Sequence, residues 1–128
     1  MNESSLRKSV CLTVDHEIFG NGSGNVRRHI IEPIERMAQI CEKFRMPLTV
    51  FVKVEEYLAF EREREALKMA WGFDPADELR VQAIDLVRCG HEVQLHPHPE
   101  WVGSRYEDGC WMLRATEDTK YRFQTLGI

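Results

Sequence analysis

Four side chains in this sequence stand in two pairs, each pair split by one residue: Asp15 with Glu17, and His96 with His98. In extended backbone, residues i and i+2 point to the same side, so each pair can converge on one point. Pro97 stiffens the path between the two histidines. Two imidazoles and a carboxylate are a common ligand set for catalytic zinc, and with open positions they also suit iron or another divalent ion. A second carboxylate beside such an ion is placed to take a proton from water. Singly, each residue has a plainer explanation: Asp15 as a cap on the turn that follows, the histidines as lining of a polar loop. Four of them at matching strand ends favour a metal site.

The surrounding elements make those ends match. Residues 9–14 (SVCLTV) read as a strand buried on both faces, 48–52 (LTVFV) as a second and 91–95 (HEVQL) as a third. Between the first two, Val26, Ile30, Ile34, Met37, Cys41 and Phe44 recur at helical spacing. Asn25 fits an N-cap, and Pro33 either kinks that helix or starts it. A charged helical pattern runs over 54–69. Asp74-Pro75 then opens another helix that Gly90 closes. After His98, residues 105–109 read as a polar loop and 111–123 as weakly periodic. Strands alternating with helices imply a parallel sheet of βα units, so the fold class is α/β. In such sheets, functional groups gather at the carboxyl ends of the strands, where both pairs lie.

Composition narrows the partners. The 128 residues amount to a single domain spanning 1–128. With 17 basic against 21 acidic residues the net charge is −4, so there is no basic excess to neutralise a nucleic-acid backbone. Apolar runs are too short for a membrane span, and the first residues carry no signal-peptide pattern. Cys11, Cys41, Cys89 and Cys110 form no Cys-x-x-Cys pair, and the first three sit in apolar stretches typical of buried free thiols. The expected location is cytoplasmic.

The segments TVDHE at 13–17 and RCGHEVQLHPHPEW at 88–101 together resemble the first two motifs of the polysaccharide deacetylases, carbohydrate esterase family four, the nodulation-protein-B-like domain. The likeness covers roughly the first hundred residues. It implies a partial (β/α) barrel and metal-dependent hydrolysis of an acetyl group from a carbohydrate or sugar conjugate, with zinc as the expected ion. By position, Asp15 matches the catalytic base. His16 stands where the family carries its metal-binding acid, and branches with Asp-x-Glu place that ligand at Glu17. His96 and His98 match the two metal histidines, although the family spaces them His-x-x-x-His. The family's later motifs, including a late histidine that serves as general acid, have no counterpart, because no histidine follows His98.

The resulting expectation is the N-terminal part of a longer deacetylase. The alternative is a non-catalytic metal- or sugar-binding module on the same fold, and a nucleotide-binding α/β domain ranks third. The turn 20–24 (GNGSG) fails both the dinucleotide and P-loop fingerprints and reads as a mobile rim of the site. Phe19 and Trp101 flank the motifs and, with His16, are candidate substrate contacts; aromatics in such places more often pack as local core. His91 is assigned no role and His29 is expected at the surface. The 55–65 stretch reads as a solvated helix face, although Glu55 and Glu56 follow the second strand and can reach the site mouth. Three βα units leave an open sheet edge, so self-association is a further expectation.

Overall fold

The structure is a computed structural model that describes residues 9–114. Three parallel strands, β1 (Leu12–His16), β2 (Leu48–Lys53) and β3 (Glu92–His96), lie in that order in one sheet. The pairing register sets Val14 beside Val50 and Val50 beside Val93, with Lys53 beside His96 at the carboxyl end. Parallel neighbours need crossover connections, and here these are helical. A π-helical turn, Arg27–Ile31, runs into α1 (Glu32–Lys43), and α2 (Val54–Arg62), α3 (Arg64–Trp71) and α4 (Pro75–Arg88) lead back to β3. The α/β class is therefore as read from the sequence, and the described strands form no closed barrel.

Helices cover one face of the sheet. Leu48 and Val50 are fully buried there, with Ile30, Ile34, Ala38, Leu79 and Leu86 packed into the same core. The opposite face is open: Thr13, Asp15, Glu92 and Gln94 are exposed. The first strand is thus not buried on both faces. Its alternation of exposed and covered residues is that of a sheet layered on one side only.

Local chemistry explains most boundaries. The Asn25 side chain accepts from the Arg28 N–H at 3.1 Å, and Pro33 sits in the first turn of α1, just past the junction with the π-helical turn. Asp74 caps α4 by accepting from the Asp77 N–H at 3.1 Å. Gly90 closes α4 at φ +88°, while the His91 N–H reaches back to the Leu86 carbonyl. The helical run after β2 is two helices, since Glu63 breaks from helical geometry between them.

Residues 105–109 are part of a β-hairpin, β4 (Arg105–Glu107) and β5 (Cys110–Met112), turned by Asp108 and Gly109 at φ +50° and +79°. It docks through aromatic rings. Trp101 and Trp111 lie 5.0 Å apart by centroid, and Phe60 of α2 is 6.0 and 5.3 Å from them. The Trp71 indole N–H donates to the Tyr106 hydroxyl at 3.1 Å, and Arg62 donates to the Ser104 carbonyl.

Several smaller expectations change. All four cysteines are free, but only Cys41 is buried. His29 is half-buried: its Nδ1 accepts from the Asn25 N–H at 2.8 Å, and Phe19 lies against its ring. His91 is buried, and its Nδ1 accepts the Leu48 N–H at 3.1 Å, which fixes the start of β2. The glycine-rich turn is knitted by the Gly22 N–H to Phe19 carbonyl bond, and Gly22 lies buried under Trp111. The 111–123 reading extends past residue 114 and there lies outside the described residues.

Candidate metal site

The two spaced pairs do arrive at one end of the sheet. Glu17 follows β1 directly, His96 ends β3, and Lys53, which ends β2, lies between them in the pairing order. Alternation puts Glu17, Lys53 and His96 on the face away from the core helices, with Asp15 one pleat earlier, but at this end Lys53 lies beneath the Trp101 ring and is buried. His98 returns to the same point after Pro97. Its Nε2 is 2.7 Å from His96 Nε2 and 3.6 Å from Glu17 Oε2. One donor atom from each of Glu17, His96 and His98 lies within 4.8 Å of the others.

His98 is held on two sides. Its Nδ1 is 2.6 Å from Glu100 Oε1, and its backbone N–H donates to Glu55 Oε2 at 2.7 Å. A carboxylate at Nδ1 fixes the tautomer that leaves Nε2 bare, the arrangement that commonly backs a metal-bound imidazole. Glu55 comes from the first turn of α2, so the element after β2 anchors the loop after β3.

The donor chemistry fits a divalent ion. Two ring nitrogens face each other at contact distance, and Glu17 Oε2 is buried with no aligned hydrogen bond among the described residues. A cation satisfies all three donors at once, and the mixture of nitrogen and oxygen suits zinc.

Behind Glu17 lies a group that motif reading missed. The Lys53 Nζ is 2.9 Å from Glu17 Oε2 and 3.3 Å from Glu56 Oε2, with its side chain sealed from solvent. Burial pushes the Glu56 carboxyl up to about 7, against the opposing pull of the Lys53 ammonium and of the Ile18 N–H that it accepts at 3.0 Å. Glu55 and Glu56 are thus buried site supports and not a solvated face. The sequence signal for Lys53 was a lone cation at the end of an apolar strand, with two acids following after Val54.

The remaining candidates divide. Asp15 stands exposed on the open face, and among the described residues its side chain makes no ion pair or hydrogen bond. His16 points to the helical face instead, buried, with Nε2 2.9 Å from Gln82 Oε1. Desolvation lowers its pKa, partly offset by that bond. Trp101 is wholly buried, so its ring is core and offers no face to a sugar. Phe19 is exposed against His29, at the glycine turn.

Compared with protein-family models, curated proteins and solved structures, the chain matches none. Among the described residues, no helix is long and apolar enough to cross a membrane.

Proposed function

We propose that this chain is a metal-dependent hydrolase that removes an acetyl group from a carbohydrate or sugar conjugate, a partial (β/α) barrel of the polysaccharide deacetylase type holding zinc on Glu17, His96 and His98. The observation that carries this reading is the convergence of those three donor atoms at the carboxyl ends of parallel strands, with His98 backed by Glu100. Zinc held there supplies Lewis acidity, polarising an acyl carbonyl and acidifying water. Asp15, exposed on the same face, accepts a proton from the attacking water as general base. The open face of the sheet gives an acetylated sugar room to approach. Four free thiols accord with a cytoplasmic location, and the outer strands β1 and β3 offer edges for self-association.

The second reading is a non-catalytic metal- or sugar-binding module, favoured by one observation: the donor atoms that converge are those of Glu17, His96 and His98, and Asp15 is not among them. Zinc stoichiometry and acetate release from acetylated sugars separate the two. Wild-type protein should bind one zinc, and His96→Ala should bind none. Acetate release that Asp15→Asn abolishes supports the enzyme, whereas zinc binding without release supports the module. Unchanged zinc content in His96→Ala would mean that the site is misplaced.

A further inference from the structure

The buried ion pair behind Glu17 has a consequence for the site it adjoins. Glu17 Oε2 faces the Lys53 ammonium at 2.9 Å on one side and His98 Nε2 at 3.6 Å on the other. The same ammonium is 3.3 Å from Glu56 Oε2, and its Nζ sits 5.6 Å from the centre of the Trp101 ring. We propose that Lys53 and Glu56 set the metal affinity of the site: Lys53 competes with the ion for Glu17, and Glu56 limits that competition by sharing the ammonium. The inference rests on reading Glu17, His96 and His98 as the metal site.

The physical case begins with what each charge needs. A buried ammonium cannot stand without counter-charge, and Lys53 finds it only in Glu17 and Glu56 among the described residues. Without Lys53, two carboxylates would face one another across an apolar setting. Lys53 therefore holds Glu17 at the site's edge while no ion is there. The cost appears when an ion arrives, since a second cation must share an oxygen that already neutralises a first. Repulsion between the two is weakly screened where water is excluded. Glu56 supplies the balancing charge without being one of the three converging donors itself. Lys53 itself is sealed behind Glu17 and cannot meet a substrate, so it acts through Glu17 as a positioning residue.

The test is zinc titration of the purified chain at pH 8 against a chromogenic chelator, with a thermal melt to confirm folding of each variant. Lys53→Met keeps length and removes charge, and should tighten zinc binding about tenfold or more, while Glu56→Gln should weaken it about three- to tenfold. Folded Lys53→Met that binds zinc equally or more weakly overturns the proposal. If Lys53→Met does not fold, Glu56→Gln decides: unchanged or tighter binding overturns it. His96→Ala separates the two layers of the reading. If His96→Ala abolishes binding but Lys53→Met leaves it unaltered, the metal site stands and the role of Lys53 falls. A wild-type chain that binds no zinc overturns both.

Discussion

At the scale of single residues, the site depends on how firmly His98 is aimed. Its ring has one nitrogen on Glu100 and the other toward His96 and Glu17, so Glu100 decides which nitrogen is bare. Removing the acceptor frees both the ring torsion and the tautomer. Glu100→Ala should therefore weaken zinc binding about 10- to 100-fold, with little change in melting temperature. Glu100→Gln keeps an acceptor for Nδ1 and should recover most of that loss. Equal effects of the two variants would show that Glu100 acts through its charge and not through the hydrogen bond. His16 shows the converse case. Its neighbours in the TVDHE segment made it a candidate, but one residue's shift along a strand reverses the face, and it became a buried partner of Gln82.

Among the elements, the first turn of α2 joins two parts of the site and titrates. Glu56 has a folded pKa of about 7 against an ordinary 4.5, raised by burial. The folded chain thus keeps the proton longer than the unfolded one. The stability from this group is full below about pH 4.5 and is lost as pH rises to about 7. Glu56→Gln removes that dependence. In metal-free protein its stability relative to wild type, measured by urea unfolding, should rise by roughly 2 kcal/mol between pH 5 and pH 8. A constant difference would mean that Lys53 holds Glu56 ionised throughout. The glycine turn after β1 carries a simpler expectation. Gly22 has φ +79°, and a Cβ there would lie 2.8 Å from Trp111 Cβ. Gly22→Ala should cost on the order of 2 kcal/mol or more, read as a lowered melting temperature. These elements also mark what was legible beforehand. The three strands, the Asp74-Pro75 helix start and the spaced ligand pairs were visible because each rests on local periodicity or capping. Glu55 and Glu56 could be placed near the site mouth but their burial was not legible, since their partners lie far along the chain: the His98 N–H for Glu55 and the Ile18 N–H for Glu56. The hairpin at 105–112 was passed over although Asp108-Gly109 is a recognised turn signal, because its strands are only three residues long.

For the molecule as a whole, the question is what holds the loop after β3 against the rest. The sheet's register fixes His96, but His98 lies beyond the last paired residue. The 99–112 segment is held by aromatic packing: Phe60 on α2 meets both Trp101 and Trp111, and Trp101 has no exposed surface. Phe60 is itself fully buried and touches no candidate ligand in any contact described above. Truncating it should cost about 3–5 kcal/mol through lost burial and the cavity left behind. The loss should be uneven, because those contacts bind the 99–112 segment to α2 while the paired strands keep their hydrogen bonds. Phe60→Ala should then expose the amides of β4 and β5 to hydrogen exchange before those of β2, and weaken zinc binding by releasing His98. His96→Ala should do the opposite, abolishing zinc binding while leaving exchange in β4 and β5 as it was. If Phe60→Ala loosens every strand equally, the hairpin and sheet unfold as one unit, and His98 is placed by the whole core and not by its aromatic clamp.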